Sequence, residues 1–128
     1  MKIFANHAHV FRRDQRADGT VSALLEVMDK TGIEKCVCFA PFYEWGLDYN
    51  PNLWMAEELK AHPELTGFGV VDIHGQDLAG QVREIRELGL KGIKLHPAFQ
   101  KFAIDGPEAF QVYAAAQEAG LFLSFHTG

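Results

Sequence analysis

The sequence contains no hydrophobic run near the ~20 apolar residues needed to span a bilayer. Its N-terminus also lacks the long apolar region and small-residue cleavage site of a signal peptide. Cysteine is scarce: Cys36 and Cys38 lie two apart in an apolar run, which makes a poor disulfide framework and favours reduced core thiols. These absences predict a cytoplasmic protein with no membrane association.

Basic residues are few and scattered. Twelve Lys and Arg against 17 Asp and Glu give a formal net charge of -5. A nucleic-acid partner is not expected, because the sequence has no basic stripe for phosphates. The 128 residues, 48% of them hydrophobic, suffice for one compact domain with a core and are too few for two. We therefore interpret residues 1–128 as one domain.

Five short apolar runs are predicted to be β-strands, and helical patterns lie between them. The strict alternation indicates a parallel sheet, because parallel neighbours need a crossover and a helix provides it. Glycine, such as Gly32, marks the helix ends. The predicted strands are Lys2–Val10, Lys35–Pro41, Thr66–His74, Gly92–Pro97 and Leu121–His126, and the four helices begin after Thr20, Asn50, Asp77 and Gly106.

The side-chain parity of the strands favours a closed barrel over an open, doubly wound sheet. One face of each strand is apolar, whereas the other becomes polar toward the carboxyl end, as with Lys94 and His96. An open sheet covered on both faces is apolar on both, whereas barrel active sites lie at the carboxyl end. The connections leaving strands (11–19, 42–50 and 98–106) are also the long ones. The prediction is an α/β fold of the TIM-barrel (β/α)8 type, represented by its first five strands.

A pair of histidines ends the first strand. Residues two apart on a strand point the same way, so the imidazoles of His7 and His9 are expected to reach one ion. Zinc binds imidazole nitrogen at about 2.0–2.1 Å. Two solvated histidines near the N-terminus are the alternative. His126, on the polar face at the end of the fifth strand, faces the same mouth and favours a metal site.

The sequence resembles the amidohydrolase superfamily, within its amidohydrolase-related branch. That branch includes small hydrolases and the non-oxidative decarboxylases of aminocarboxymuconate semialdehyde and of resorcylates. The resemblance implies that His7, His9 and His126 bind a divalent metal, with zinc expected and manganese as the alternative. It covers the whole chain. The segments that carry it are Asn6–Val10, Gly92–Pro97 and Ser124–Gly128, together with Gly32–Lys35 at the start of the second strand.

Two departures from the family pattern limit what the resemblance implies. Ala5 stands where many relatives have an Asp two residues before the first histidine, so a tuning role of that carboxylate is absent. The family completes its site with a His from strand six and an Asp from strand eight, beyond the five strands here. Because a whole barrel needs about 250 residues, the resemblance implies a fragment without its catalytic base, which is expected to bind metal without turnover.

Four further residues are predicted to contact substrate: Arg12, His74, Lys94 and His96, of which His96 is also interpretable as a metal contact. Arg12 follows the histidine pair and is suited to hold a carboxylate bidentately, although it is also interpretable as solvated. Lys94 is predicted to orient an anionic substrate. Two alternatives for Lys94 are a carboxylated lysine bridging two metals, as in binuclear members, and an ion pair with Asp72. His74, with the same strand parity as Asp72, is also interpretable as a solvated loop residue.

The connection after the second strand, residues 41–49, is dense in aromatic side chains. Such rings suit a pocket for an aromatic or unsaturated substrate. They equally suit a cover for the barrel rim. Both interpretations stay open at the level of the sequence.

The favoured function is a metal-dependent hydrolase of a small, anionic substrate, in which a divalent ion polarises a carbonyl and activates water. One alternative is a carboxy-lyase that uses the same metal on an unsaturated or aromatic acid. Another is a non-catalytic half-barrel that self-associates through the exposed edges of its first and fifth strands. A homo-oligomer is expected.

Overall fold

A computed structural model describes residues 1–127, and Gly128, the last residue of the third family-like segment, lies outside the described residues. One parallel sheet in the order β1-β2-β3-β4-β5 curls into part of a barrel, with the helices as crossovers. The predicted (β/α)8-type architecture is confirmed for this part. Its elements are β1 (Ile3–His9), α1 (Val21–Thr31), β2 (Ile33–Phe39), α2 (Pro51–Leu59), β3 (Leu65–Gly69), α3 (Leu78–Glu87), β4 (Gly92–Leu95), α4 (Pro97–Gln100), α5 (Pro107–Ala119) and β5 (Phe122–Phe125).

The four predicted helices begin at the residues that the sequence indicated, and α1 also ends where predicted. Thr20 accepts a hydrogen bond from the backbone N–H of Ala23 at the start of α1, and Gly32 ends that helix in the left-handed conformation at φ 72°. Asn50 and Asp77 cap α2 and α3 through their side chains. Local capping therefore determines where each crossover helix starts and hence where the preceding loop stops.

The third strand is shorter than predicted. β3 ends at Gly69 rather than at His74. Asn52 explains the early end, because its side-chain amide donates to the carbonyl of Val70 and its carbonyl accepts from the Val70 N–H, both at 2.8 Å. The buried Asn52 side chain thus makes the hydrogen bonds that a neighbouring strand would otherwise make. The apolar residues that follow are buried outside any strand.

Two short helical segments in the loops were not predicted. A 3₁₀ turn spans Tyr43–Trp45 after β2, and α4 follows β4 directly at Pro97. Both lie at the carboxyl end of the sheet. They fold the two long connections over this end instead of leaving them extended.

The apolar core lies between the sheet and its helices. Cys36 and Cys38 belong to it as free, buried thiols, which confirms their interpretation as core residues. Burial raises the pKa of Cys38 to about 12, which makes the thiol unreactive at neutral pH. No helix within residues 1–127 is both long and apolar enough to cross a membrane.

Replacing Asn52 tests the role of this side chain in ending β3. Asn52→Ala removes both hydrogen bonds and leaves the N–H and C=O of Val70 unsatisfied in the core. Because each unsatisfied buried group costs about 1–3 kcal/mol, we expect urea unfolding to show a loss of at least ~2 kcal/mol. Asn6→Ala, at an exposed position, is the control and is expected within about 0.5 kcal/mol of the parent. Equal losses in both variants would contradict the assignment.

Candidate metal centre

The two histidines at the end of β1 point to the same place. The Nε2 atoms of His7 and His9 are 3.2 Å apart. Two ligands of one tetrahedral ion, each at about 2.0–2.1 Å from it, lie roughly 3.3–3.4 Å apart. The separation in this structure therefore fits a pair of nitrogens that share one ion, as the strand parity predicted.

Phe39, the last residue of β2, supports this histidine pair from below. Its ring centroid lies 4.7 Å from that of His7 and 5.3 Å from that of His9. Phe39 and His9 are also register partners in the two adjacent strands. Phe39 was not among the predicted site residues, although the alternation of β2 places it on the inner face. The ring restricts the orientation of both imidazoles by packing.

Lys94 lies on the inner face of β4, almost completely buried. Its Nζ is 4.6 Å from the ring centroid of Phe39, a cation–π contact. Within residues 1–127 no carboxylate lies within ion-pair distance of Lys94, so the alternative of an ion pair with Asp72 is wrong. Burial lowers the pKa of Lys94. An ammonium without a carboxylate partner beside the histidine pair attracts an anion.

The ends of β4 and β5 bring two more histidines together. The rings of His96 and His126 stack at a centroid distance of 3.8 Å, with only 9° between their planes. Nδ1 of His96 accepts a hydrogen bond from the backbone N–H of Phe99, which fixes the His96 ring as the cap of α4. The backbone N–H of His126 donates to the carbonyl of Leu95 and continues the β4–β5 pairing. The fixed ring of His96 therefore packs against the ring of His126.

The predicted third ligand lies beside the pair. His126 and His9 line the same cleft, and a charge on His126 contributes to the lowered pKa of both His7 and His9. No group of three or more His, Cys, Asp or Glu side chains within residues 1–127 is close enough together to hold one ion. The structure thus forms the pair, and the role of His126 as a ligand stays a prediction.

The imidazoles of the pair are held neutral at physiological pH. Burial is the main cause that lowers the pKa of His7, followed by the charge of Lys94. Burial together with the charges of His7 and Lys94 lowers the pKa of His9 to about 4. A metal ligand must be the neutral imidazole, so both residues are in the ligand form without having to lose a proton.

The lowered pKa of His9 predicts a pH dependence of stability. In the unfolded chain His9 titrates near 6.5, so between about pH 6.5 and 4 the unfolded state binds the proton that the folded state excludes. Stability is therefore expected to fall as the pH drops through this window. Because His9 is only half-buried, solvent screening limits its share to about 1–2 kcal/mol. Urea unfolding at about pH 7 and 5 in chelator measures it. His9→Gln should lose less stability over the same interval; an identical loss would contradict the assignment.

A cleft of about 540 Å³ opens at the carboxyl end of the sheet, above the histidines. Three loops contribute aromatic side chains to it, and Phe42 is the most buried of these rings. The predicted aromatic connection thus supplies a cleft wall, which corresponds to the pocket interpretation of residues 41–49. The cleft is lined by His9, Phe11, Arg16, Asp18, Gly19, Phe42, Trp45, His96, Phe99 and His126.

Arg12 lies away from this cleft. Its guanidinium stacks 4.4 Å from the ring centroid of Tyr49. It also forms ion pairs with Asp14 at 3.1 Å and Asp48 at 3.6 Å. Arg12 lines a separate surface groove beside the start of α1. Its contacts tie the loop after β1 to the loop after β2.

His74 does not line this cleft either. β3 ends before His74, so the strand alternation that predicted the direction of its side chain does not apply. Its Nε2–H donates to the backbone carbonyl of Gln100 at 2.7 Å. Gln100 is fully buried and bonds Val71, Glu44 and His96. It is a positioning residue that sequence reasoning missed, since a glutamine in a short loop segment gives no signal of burial. Together these bonds hold the loops after β2 and β4 in place beside the cleft.

Several solved structures share the fold. A probable 2-pyrone-4,6-dicarboxylic acid hydrolase from Acinetobacter baumannii, with citric acid bound, superposes with a TM-score of 0.70 at 18% identity, over 99% of this chain and 50% of its own. A 5-carboxyvanillate decarboxylase from Novosphingobium aromaticivorans, with manganese and 3-methoxy-4-hydroxy-5-nitrobenzoic acid, gives 0.74 at 19% identity, over 98% and 50%. A Staphylococcus aureus protein assigned as an amidohydrolase gives 0.76 at 16% identity, over 100% and 48%.

The chain spans about half the length of these structures. Among curated protein sequences none matches it significantly. The amidohydrolase family model matches residues 7–128, which is nearly the whole chain and includes all three predicted ligands. The chain belongs to the amidohydrolase family.

Proposed function

We propose that the protein is a metal-dependent hydrolase of a small, anionic substrate, and that His7, His9 and His126 hold its divalent ion. The observation that carries this proposal is the 3.2 Å separation of the His7 and His9 nitrogens at the carboxyl end of the sheet. This end carries the active site in barrel enzymes. Membership of the amidohydrolase family adds support.

Different residues of the chain have different roles in such a site. A bound divalent ion supplies polarisation of a substrate carbonyl and a water of lowered pKa. Phe39 closes the floor beneath the ligands and keeps bulk water from that side. Lys94, buried on the inner face of β4, places a positive charge close enough to lower the pKa of both histidines of the pair, and this charge favours an anionic group of the substrate. His96 holds the ring plane of His126 and borders the substrate cleft.

A carboxy-lyase is the second candidate. The fold is shared with a 5-carboxyvanillate decarboxylase that has manganese and an aromatic acid bound, and with a probable hydrolase of a pyrone dicarboxylic acid. Both names denote carboxylate compounds, which suits the positive charge of Lys94. Manganese is accordingly the alternative to zinc. Metal-dependent release of CO2 from an aromatic acid, without hydrolysis of amides or lactones, would select this candidate.

Metal titration tests the proposal. We expect isothermal calorimetry of the metal-free chain with Zn²⁺ or Mn²⁺ at about pH 7.5 to show one ion per chain. Binding should persist at about pH 6 and weaken toward about pH 4, because the lowered pKa of His9, about 4, delays the competition of protons for the imidazole. A stoichiometry near zero for both metals would reject the proposed function. Loss of the heat signal after chelator treatment and its return with fresh metal is the control for reversible binding.

A further inference from the structure

The imidazole of His96 is held at one of its two ring nitrogens. Nδ1 of His96 accepts a hydrogen bond from the backbone N–H of Phe99 at 3.2 Å, and the ring thereby caps α4. In a neutral imidazole one nitrogen carries the proton and the other is the acceptor. The hydrogen bond made by one nitrogen determines which of the two is protonated. Because Nδ1 is the acceptor here, the proton of His96 lies on Nε2.

The Nε2–H group of His96 is available to a ligand. Within residues 1–127 this nitrogen makes no hydrogen bond to the protein, and no side-chain nitrogen or oxygen of that range is buried without a partner. The Nε2 atom of His96 is consequently accessible. His96 borders the cleft at the carboxyl end of the sheet. A hydrogen-bond donor with a fixed position therefore lies at this cleft.

The stacking of His96 on His126 separates His96 from the proposed ion. The two ring planes are 9° apart and their centroids are 3.8 Å apart. Stacked rings in van der Waals contact keep about 3.5 Å between their planes. An ion bound by His126 lies near the plane of the His126 ring, about 2.0–2.1 Å from its nitrogen. Such an ion is then roughly 3.5 Å outside the plane of the His96 ring, too far for a bond to Nε2 of His96.

Gln100 fixes the backbone from which the His96 ring projects. Its side-chain oxygen accepts a hydrogen bond from the N–H of His96 at 2.9 Å. Its side-chain nitrogen donates to the carbonyl of Val71 and to the carboxylate of Glu44, both at 3.1 Å. Only one orientation of the amide satisfies all three groups. The side chain of Gln100 is almost completely buried, so the position of the His96 ring depends on a glutamine in the core.

We propose that His96 is a substrate-binding residue that donates its Nε2–H to an oxygen atom of the substrate, and that Gln100 is its positioning residue. The inference rests on the proposed function for the substrate, a compound with a carbonyl or carboxylate oxygen. The protonated nitrogen of His96 is assigned without reference to a metal. A donor that is in place before the reaction stabilises charge developing on such an oxygen, because no group has to reorient. The same nitrogen is excluded as a metal ligand, since a ligand nitrogen must be unprotonated.

Nuclear magnetic resonance of the chain with ¹⁵N-labelled histidine tests the assignment of the proton. Spectra are recorded in chelator and again with Zn²⁺, and the His96 signals are identified by their loss in His96→Gln. We expect long-range ¹H–¹⁵N correlations to place the proton of His96 on Nε2 in both conditions, while the nitrogens that bind Zn²⁺ change their shifts. A proton on Nδ1 of His96, or Zn²⁺ bound to its Nε2, would overturn the inference.

Two substitutions of His96 separate the roles of its two nitrogens. The side-chain amide of Gln reaches the position of Nε2 and keeps a donor there, whereas the side-chain oxygen of Asn replaces only Nδ1. The probe is acetohydroxamate, a small compound with a carbonyl oxygen, and calorimetry measures its binding to the Zn²⁺-loaded chain. We expect His96→Asn to bind it about tenfold more weakly, as for one lost hydrogen bond, and His96→Gln to remain within about threefold of the parent.

His62→Asn is the matched control for these substitutions. His62 does not line the cleft, so this variant should bind acetohydroxamate as the parent does. Circular dichroism checks that each variant is folded. A His96→Gln variant that binds the probe no better than His96→Asn would contradict the donor role.

A double-mutant cycle tests whether Gln100 acts through His96. Gln100→Met has a similar length but loses all side-chain hydrogen bonds of Gln100. We expect it to weaken acetohydroxamate binding several-fold in the parent and to have no further effect in the His96→Asn background, where the donor is already absent. A purely structural role would instead give losses that add in the double variant, and that result would contradict the positioning role.

This inference and the proposed function fail separately. If the chain binds no Zn²⁺, the proposed function is rejected, and the spectrum in chelator still reports the protonated nitrogen of His96. Acetate then replaces acetohydroxamate as the probe. A saturable shift of the His96 Nε2 signal with acetate, absent with equal chloride, supports the donor role, and no such shift would overturn it. Zn²⁺ bound to Nε2 of His96 would support a metal site and overturn this inference alone.

Discussion

Stoichiometric binding of Zn²⁺ or Mn²⁺ is expected to disappear in His7→Ala and in His9→Ala. The two Nε2 atoms are 3.2 Å apart, so each supplies one of two neighbouring ligand positions. Removing either leaves a single imidazole from this strand. Calorimetry at about pH 7.5 should then show an affinity at least ~100-fold lower, beyond the range of the instrument. Such a loss exceeds the 10–100-fold effect typical of residues that only support ligands.

The choice of control makes this test specific to the site. His62→Ala also removes an imidazole, but His62 lies between α2 and β3, at the amino end of the sheet and beside Glu64, so the change should leave binding unaltered. His126→Ala distinguishes the proposed third ligand from a neighbour, because a ligand should cost as much as His7 or His9. Unchanged metal binding in His7→Ala and His9→Ala would show that the ion binds elsewhere.

Much of the fold was predictable because its signals are local. The caps at Thr20, Asn50 and Asp77 satisfy backbone groups within their own turn, so neighbouring residues suffice to identify them. The end of β3 was not predictable in this way. It depends on Asn52 bonding Val70, a pairing across 18 residues that exists only after α2 packs on the sheet.

The same difference between local and long-range contacts applies to the residues of the site. Period-two alternation of a strand sufficed to place His7 and His9 together, because both lie on one element. The stacking of His96 on His126 joins two elements, and Gln100 bonds three different loops or strands. Contacts of this kind leave no pattern in a single segment. His74 was placed wrongly for the same reason. The predicted direction of its side chain assumed a longer β3, whereas the hydrogen bonds of Asn52 end this strand before His74.

Phe39→Ala is expected to lower the free energy of unfolding by about 3–5 kcal/mol, the usual cost of emptying a buried phenylalanine site. Phe39 is 1% exposed and packs against His7, His9, Lys94 and Phe68. Urea unfolding in chelator measures the loss. Phe110→Ala, at an aromatic that is 59% exposed, is the control and should change stability by no more than about 0.5 kcal/mol.

The same position separates packing from ligand orientation. Phe39→Leu fills most of the volume but cannot provide the aromatic ring with which both imidazoles make T-shaped contacts. We expect this variant to retain most of the stability lost in Phe39→Ala, yet to bind Zn²⁺ about tenfold more weakly, since the two nitrogens then sample wider orientations. Unchanged metal affinity in a stable Phe39→Leu would show that the ring supports the core alone and that the strand backbone is sufficient to orient the histidine pair.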